Sequence, residues 1–322
     1  MKRILLLILA FAIAFGGLHA QPRITGGFPI NITQAPWQVL LSLNNSLGCG
    51  GSIIAPDFIL TAKHCVQGYS ASTVKVIAGV TCKNQINSGN TFDVSNIILH
   101  PDPNIDAALL RLSNSIAYNN NRQPVNYWSS ANNTLYNVGN EVRVSGWGWT
   151  IPNNPGSTPD CLEAVNLNII SNQDASNVLR PSWGRDLRAH EMAATGTGNI
   201  RQGACHGDSG GPLTALTASN DPVLVGIVQG GIPGCTGNNQ NSPSVFVRVS
   251  HIRNWIETAT CITNFKNQTV STNINVTSCG TLNAQNVNVQ SGGSLTLEGT
   301  TINITGDFNV QPGASLNITA GP

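Results

Sequence analysis

The stretch Gly207-Asp208-Ser209-Gly210-Gly211-Pro212 sets a serine among glycines. A serine that attacks a planar carbonyl needs an exposed hydroxyl and backbone N–H groups aimed at the oxyanion that develops. Glycines on both sides permit the tight turn and the close approach of substrate that such a serine requires. A glycine-rich turn without chemistry is the alternative, and further segments are needed to decide between the two.

Two further segments supply partners for this serine. Cys49-Gly50-Gly51-Ser52-Ile53-Ile54 leads to Leu60-Thr61-Ala62-Lys63-His64-Cys65, and Asn104-Ile105-Asp106-Ala107-Ala108-Leu109-Leu110-Arg111-Leu112 follows. Together the segments resemble the chymotrypsin-like serine protease family, and the resemblance runs from Ile24 to the region of Trp255. The order His, Asp, Ser along the chain is the chymotrypsin order and differs from the orders of subtilisin and the α/β-hydrolases.

The resemblance implies a catalytic triad. His64 would take the hydroxyl proton of Ser209 and later donate it to the leaving amine, while Asp106 fixes the orientation of the imidazole. The backbone N–H groups of Gly207 and Ser209 are expected to form the oxyanion hole. Asp102 is the rival aspartate, but it lies between two prolines and is interpreted as a turn residue.

The other histidines, and the lysine next to His64, are not expected to take part in proton transfer. His100, His190 and His251 lie outside the catalytic segments and are interpreted as surface or structural residues. His206 is expected at the rim of the substrate pocket, where it touches substrate. Lys63 stands where the family has a small residue and is interpreted as a solvated side chain.

The resemblance also assigns a primary pocket, with Gly203 as its floor and Gly231 and Ser244 as its walls. None of the three carries a carboxylate, so a substrate Arg or Lys would lose hydration there without gaining a partner. The sequence therefore predicts uncharged residues, aromatic or medium apolar, before the scissile bond. Where relatives read Ser-Trp-Gly, this chain reads Gln229-Gly230-Gly231, which indicates a wider and less apolar cleft.

The start of this region resembles the activation junction of the family, Arg23-Ile24-Thr25-Gly26-Gly27. Cleavage after Arg23 would free the amino group of Ile24, which is expected to pair with the buried carboxylate of Asp208. An enzyme that disfavours Arg does not mature itself efficiently, so the sequence predicts an activating protease that acts in trans. The predicted propeptide, residues 21–23, is unusually short.

Residues 1–20 have the pattern of a signal peptide. Lys2 and Arg3 form a positive n-region, and residues 4–15 are apolar. A cleavage site with small residues ends at Ala20. No later stretch is apolar enough over a sufficient length to cross a bilayer. A secreted protein without a membrane span is therefore expected, with a protease domain at residues 24–260.

Eight cysteines in an exported chain indicate four disulfides. The resemblance implies two of the pairs, and the other two join the cysteines that are left. The pairs are Cys49–Cys65 and Cys205–Cys235, followed by Cys82–Cys161 and Cys261–Cys279. No pair has zinc-finger spacing, and the loop after Val80 lacks a cluster of acidic side chains, so neither a metal site nor another cofactor is predicted.

Composition and strand patterning indicate an all-β protein. The chain has 322 residues with 33 Gly and 17 Pro, and short β-type runs at 38–43, 74–77, 141–144 and 223–228 alternate with turns. Such a pattern predicts a sandwich or barrels. The resemblance narrows this prediction to two six-stranded antiparallel β-barrels with the active site between them.

One helix is predicted at the end of the protease domain, and the charge balance limits the partners. Val249, Ile252, Trp255 and Ile256 recur at three-to-four spacing and share one helix face. The net charge is +1 with 10% charged residues, which does not supply the clustered Lys and Arg of a nucleic-acid or anionic-membrane partner.

Residues 261–322 form a tail of different composition, rich in Asn, Thr, Ser and Gly. The stretch 289–297 returns as 310–318, an offset of 21 residues. Such a repeat of short strands predicts a small β-solenoid, and the alternative is a disordered polar linker. The tail resembles repeat modules of exported Bacteroidetes proteins and is interpreted as an accessory module that attaches to a surface.

The function that these patterns favour is a secreted serine endopeptidase acting on proteins or peptides. Two other classes stay open: a weak or inactive family member that acts as a binding or adhesion protein, and an adhesin whose main element is the tail. The complete triad and the activation junction favour the enzyme. Labelling with a fluorophosphonate probe separates the enzyme from an inactive relative.

Overall fold

A computed structural model gives the structure of the chain and describes residues 24–127, 134–198, 201–236, 242–260 and 264–320. The first group of strands is β1 (Phe28–Pro29), β2 (Gln38–Leu43), β3 (Ser46–Ala55), β4 (Phe58–Thr61), β5 (Val74–Ala78), β6 (Thr91–Leu99) and β7 (Ala108–Leu112). The second group is β8 (Asn126–Tyr127), β9 (Glu141–Gly146), β10 (Glu163–Ile170), β11 (Glu191–Thr195), β12 (Pro212–Leu216), β13 (Pro222–Gly230) and β14 (Ser244–Arg248). The tail contains β15 (Asn264–Val270), β16 (Asn273–Thr277), β17 (Thr281–Val289), β18 (Ser294–Gly299), β19 (Thr301–Val310) and β20 (Ser315–Ala320). The α-helices of the described residues are α1 (Lys63–Val66), α2 (Asn172–Trp183) and α3 (Val249–Ala259).

The first barrel is closed in the order β2-β3-β4-β7-β6-β5, with β5 returning to β2. Its interior is filled by fully buried aliphatic side chains such as Leu41, Ile53 and Leu109. Thr61, the last residue of β4, pairs with Ala108, the first residue of β7. The chain that follows β4 and the chain that precedes β7 therefore leave the barrel at the same edge, which brings the histidine and aspartate segments together.

The second barrel runs β10-β11-β14-β13-β12-β9 and closes through the antiparallel pairing of β9 with β10. The short strand β1 pairs with β10, and β8 pairs in parallel with β13. Ile24 lies fully buried in the core of this barrel, beside side chains such as Val144 and Phe246. The prediction of two six-stranded antiparallel barrels is confirmed.

The predicted C-terminal helix is α3, which buries Val249, Ile252 and Ile256. Trp255 lies on the same helix, partly buried, with its ring centroid 4.8 Å from that of His100. None of the α-helices in the described part of the chain is long and apolar enough to span a membrane.

Helix α2 was not predicted from the sequence. Its N-cap is Ser171, whose side chain accepts a hydrogen bond from the Asp174 amide. Serine followed three residues later by an acidic residue is a start signal that could have revealed this helix. Pro181, in the last turn of α2, is the residue that argues against a helix when only the sequence is read.

The described tail is a parallel β-solenoid rather than a disordered linker. Its strands form two three-stranded parallel sheets, β15-β17-β19 and β16-β18-β20. Val289 pairs with Val310 and Leu295 with Leu316. The repeat of 21 residues in the sequence is therefore the length of one coil of the solenoid. The inner coils thus bury their apolar rows, whereas Val310 and Ile318 of the last strands stay exposed.

The tail packs against the two barrels. Phe265 of β15 is fully buried, with its ring centroid 6.3 Å from that of Tyr118. The Gln268 side chain accepts from the Tyr118 amide at 3.1 Å and donates to the Ile116 carbonyl at 3.2 Å. Further on, the Asn126 amide group donates to the Asn273 carbonyl at 2.7 Å. The solenoid is therefore docked on the barrels by both apolar and hydrogen-bonded contacts.

Candidate active site

His64 lies in the short helix α1, directly after β4, and Asp106 lies directly before β7. The Nδ1 atom of His64 is 2.6 Å from Oδ2 of Asp106, and the His64 backbone amide donates to Oδ1 at 2.8 Å. Two bonds to one carboxylate fix both the position and the rotation of the imidazole. Because Nδ1 is engaged by the carboxylate, Nε2 is the ring nitrogen left for proton transfer.

Ser209 is fixed between the two barrels. Its carbonyl accepts from the amide of Gly50 in β3 at 2.8 Å, and the next amide, of Gly210, donates to the Val228 carbonyl in β13 at 2.8 Å. Gly210 has φ +79°, and a Cβ there would lie 2.2 Å from the Thr61 hydroxyl oxygen, so only glycine fits. Ser209 and His64 line the same cleft, which has a volume of about 330 Å³.

The turn before the serine is shaped by a buried carboxylate. Asp208 is fully buried, and its oxygens accept from the amides of Gly148 at 2.8 Å and Cys205 at 2.9 Å. Burial raises the pKa of Asp208 to about 6, against the opposing effect of these two hydrogen bonds. Within the described residues, the amides of Gly207 and Ser209 donate to no acceptor, so both stay free for an oxyanion.

The predicted activation segment lies beside this turn and beside the pocket. In the uncut chain the nitrogen of Ile24 donates to Oε2 of the buried Glu163, not to Asp208. The Thr25 carbonyl accepts from the Gly203 amide at 3.2 Å. Since this nitrogen is still an amide, the pairing of a free Ile24 amine with Asp208 stays a prediction for the cleaved chain.

The residues assigned to the primary pocket lie together. A Cβ on Gly203 would be 2.8 Å from Oγ of Ser244, and that buried hydroxyl accepts from the Ala204 amide at 3.0 Å. Gly231 lines the cleft together with His206, whose ring centroid lies 4.4 Å from that of Trp149. The described lining of the cleft contains no acidic side chain.

A tryptophan that sequence reasoning missed packs against the wall of the cleft. Trp183, the last residue of α2, places its Cζ2 atom 3.6 Å from the point where a Cβ on Gly230 would lie. Its Nε1 donates to the Gly231 carbonyl at 3.0 Å. A tryptophan from a distant helix therefore packs where the family motif would place a side chain at position 230, and the cleft is less open than Gly230 alone suggests.

Gln229, which replaces the usual serine, is hydrogen-bonded to the buried carboxylate of an ion pair. Its Nε2 donates to Oε1 of Glu191 at 3.1 Å, and Arg185 contacts both oxygens of that carboxylate, at 2.6 and 2.8 Å. Burial alone would raise the pKa of Glu191, but the hydrogen bonds from Arg185, the Arg188 amide and Gln229 outweigh it, and the pKa lies below its ordinary value. The Arg185 guanidinium also stacks 5.0 Å above the ring of Trp183.

Lys63 is a correction to the sequence interpretation. The side chain is buried, not solvated, and its Nζ donates to the Asp102 carbonyl at 2.7 Å. Asp102 itself lies exposed in a turn, where its Oδ1 accepts from the Asn104 amide at 2.8 Å. Lys63 thus ties the turn before Asp106 to the helix that carries His64.

Three disulfides are present among the described residues, and they join the cysteines that the sequence paired. They are Cys49–Cys65, Cys82–Cys161 and Cys205–Cys235. Cys279 is also disulfide-bonded, while Cys261 lies outside the described residues, so their pairing stays a prediction. The group formed by His64 with Cys49 and Cys65 is not a metal site, because both sulfur atoms are in a disulfide and are not thiolates.

The double barrel, with a histidine–aspartate pair that shares a cleft with a serine, defines a class of protein, and comparison with known sequences identifies it. A family model described as Trypsin matches residues 24–256, and the chain belongs to this family of serine proteases. It is 34% identical over 271 residues to Trypsin delta of Drosophila melanogaster, which covers 80% of this chain and 98% of that protein. Hypodermin-A of Hypoderma lineatum is 29% identical over 266 residues, covering 80% of this chain and 97% of that protein.

Proposed function

We propose that this chain is a serine endopeptidase that cleaves peptide bonds through an acyl-enzyme. Ser209 attacks the carbonyl carbon while Nε2 of His64 takes its proton, and His64 then returns that proton to the leaving amine. Asp106 orients the imidazole through the 2.6 Å contact and stabilises the imidazolium that forms. The amides of Gly207 and Ser209 stabilise the oxyanion.

The observation that carries this proposal is the placement of the orienting pair and the serine. His64 is bonded twice to Asp106 and shares a cleft with Ser209, whose backbone is hydrogen-bonded to both barrels. We expect a fluorophosphonate probe to label the cleaved chain and not its Ser209→Ala variant. Ser46→Ala changes an exposed serine of β3 in the same way and should keep full labelling. An unlabelled wild-type chain would leave the inactive binding protein as the better description.

The pocket supports cleavage after uncharged residues, aromatic or medium apolar ones. Gly203, Gly231 and Ser244 offer no carboxylate, and neither does the described lining of the cleft. A cationic side chain would be desolvated there without a partner, which costs several kcal/mol. Peptides that differ only in the residue before the scissile bond test this preference.

Activation is proposed to follow cleavage after Arg23, which turns the Ile24 amide into an ammonium. The carboxylate of Asp208 is fully buried and bonded only to neutral amides, so an ammonium at this depth would supply the counter-charge it lacks. The Ile24 side chain is already buried in the second barrel, which supports a buried position for the freed nitrogen.

Since the pocket disfavours Arg, the activating protease acts in trans. Purified precursor incubated alone should stay intact at Arg23 and should be cut when a small amount of trypsin is added. Self-cleavage at Arg23 whose rate rises with precursor concentration and which is lost in Ser209→Ala would contradict both the pocket assignment and activation in trans.

We further propose that residues 1–20 direct secretion, that residues 21–23 are the propeptide and that residues 24–260 form the catalytic domain. The solenoid of residues 264–320 would then serve as an accessory module that attaches the enzyme to a surface. The charged n-region, the apolar core and the three described disulfides support an exported protein. N-terminal sequencing of the secreted chain tests the cleavage sites directly.

A further inference from the structure

A partly buried guanidinium lies next to the floor of the primary pocket. Arg201 precedes Gly203 by two residues, and its Nη1 donates to the carbonyl of Cys235, a residue that lines the cleft. The Nε atom of Arg201 is buried and has no hydrogen-bond partner among the described residues. A cation thus lies beside the floor of the pocket, although Gly203 itself, compared with the family pattern, indicates a neutral floor.

This cation has no carboxylate partner. All fifteen Asp and Glu residues of the chain fall within the segments that the structure describes, and none of them lies within 4.0 Å of the guanidinium of Arg201. Burial lowers the pKa of Arg201 to about 10, which still leaves it charged at neutral pH. A buried charge without a counter-ion is unfavourable, and a bound anion would relieve it.

The guanidinium lies beside the glycine that is assigned to the floor of the pocket. A Cβ on Gly203 would lie 3.7 Å from Nη2 of Arg201 and 2.8 Å from Oγ of Ser244. Glycine leaves this position empty, and a substrate atom that entered it would have to push the Ser244 hydroxyl aside. The far end of a substrate side chain would meet one hydroxyl and one cation there, which matches a carboxylate better than an amide or an ammonium.

We propose that Arg201 makes this cleft accept an acidic side chain, Asp or Glu, immediately before the scissile bond, in addition to uncharged ones. The inference rests on the proposed endopeptidase function and names a substrate class for the same site. A carboxylate would accept a charge-assisted hydrogen bond from Nη2, whereas the isosteric amide would receive only a weaker one. This difference corresponds to about a tenfold preference for Glu over Gln.

The test compares peptides that are identical except for Glu, Gln, Phe or Lys before the scissile bond and that contain no other Lys or Arg. The full chain is activated with immobilised trypsin, which is then removed, and active sites are counted with a fluorophosphonate probe. We expect kcat/KM for Glu to exceed that for Gln about tenfold, with Lys the poorest of the four. Equal or lower values for Glu than for Gln would overturn the proposal.

Variants separate recognition from a purely structural role of the guanidinium. In Arg201→Gln the ratio of kcat/KM for the Glu peptide to kcat/KM for the Gln peptide should fall to about one. The kcat/KM for the Phe peptide should stay within about threefold of wild type. Arg111→Gln makes the same change at an exposed position of the first barrel and should leave the ratio unchanged. An equal loss for all uncharged and acidic peptides in Arg201→Gln would show that the guanidinium only supports the Cys235 carbonyl.

The design also distinguishes failure of this inference from failure of the proposed function. If neither Phe nor Glu peptides are cleaved and the probe does not react, the chain is not the proposed enzyme. Calorimetry of peptide binding to the Ser209→Ala variant then still compares the affinities of the Glu and Gln peptides for the same pocket. Tighter binding of Glu supports the charge recognition without any chemistry, and equal affinities overturn it.

Discussion

The ion pair behind the cleft wall predicts a large and pH-dependent loss of stability when Arg185 is replaced by leucine. The side chain of Glu191 has no exposed surface, and Arg185 supplies two of its hydrogen bonds together with the only cation that contacts it among the described residues. Removing the cation that pairs with a buried carboxylate costs about 3–5 kcal/mol, because the remaining charge stays buried. For a domain of this size, that corresponds to a fall in Tm of about 10 °C.

The sign of the pH dependence follows from the pKa of Glu191. In the wild type the pKa is below its ordinary value, so this group contributes stability at pH values above the unfolded pKa and loses it as the pH falls through the folded pKa. In Arg185→Leu the burial that opposes ionisation is no longer outweighed by Arg185, so we expect the pKa to rise. The difference in Tm between wild type and variant should therefore be largest near pH 7 and shrink toward pH 4.

The assay is thermal unfolding in a Ser209→Ala background, which prevents self-digestion during heating. Arg180→Leu is the matched control, because Arg180 forms the same kind of pair with Asp186 at an exposed position and should cost no more than about 1 kcal/mol. Adding Glu191→Gln to Arg185→Leu should recover part of the stability, since the buried charge is then removed. Equal losses at pH 7 and pH 4, or a loss no greater than that of Arg180→Leu, would refute the reasoning.

The remaining predictions concern the triad, the tail and the cleft wall. Asp106→Asn should lower kcat by roughly 10,000-fold, because the wrong imidazole tautomer is favoured, whereas Asp102→Asn should leave most activity; the reverse order in a peptide assay would show that the wrong aspartate was chosen. Peptide mapping without reduction should find Cys261 bonded to Cys279, and a bond from Cys261 to any other cysteine would contradict the pairing. Trp183→Ala should raise KM for extended peptides severalfold with little change in kcat, and an unchanged KM would show that this ring does not contact substrate.

The individual strands, the helix α3 and the tail repeat were predictable because their signals are local, whereas the two-barrel topology was implied by the family resemblance. The runs at 38–43 and 223–228 lie within β2 and β13, and the apolar face beginning at Val249 became α3. The repeat of 21 residues in the tail likewise became the pairing of Leu295 with Leu316. In each case the spacing of apolar residues in one short segment carries the information, and no distant contact is needed to read it.

Features that depend on distant contacts could not be read in this way. Lys63 looked solvated because lysine usually is, yet the turn at Asp102 provides a carbonyl that pairs with its ammonium in a buried position. Trp183 is far from Gly230 along the chain, and only the packing of α2 places its ring against the cleft wall. Glu163 likewise contacts Ile24 only because β10 passes beside the activation segment.

The substrate cleft therefore has to be interpreted from the groups that occupy it in space, and not from the positions that usually supply them. A comparison of Gly203, Gln229 and Gly230 with the family pattern describes a wide, neutral cleft. The structure instead puts a tryptophan ring against Gly230 and a guanidinium beside Gly203, both from residues outside the motif. Because a cation beside the pocket floor distinguishes acidic from neutral and basic side chains, Arg201 is the residue whose substitution we expect to change the choice between charged substrates.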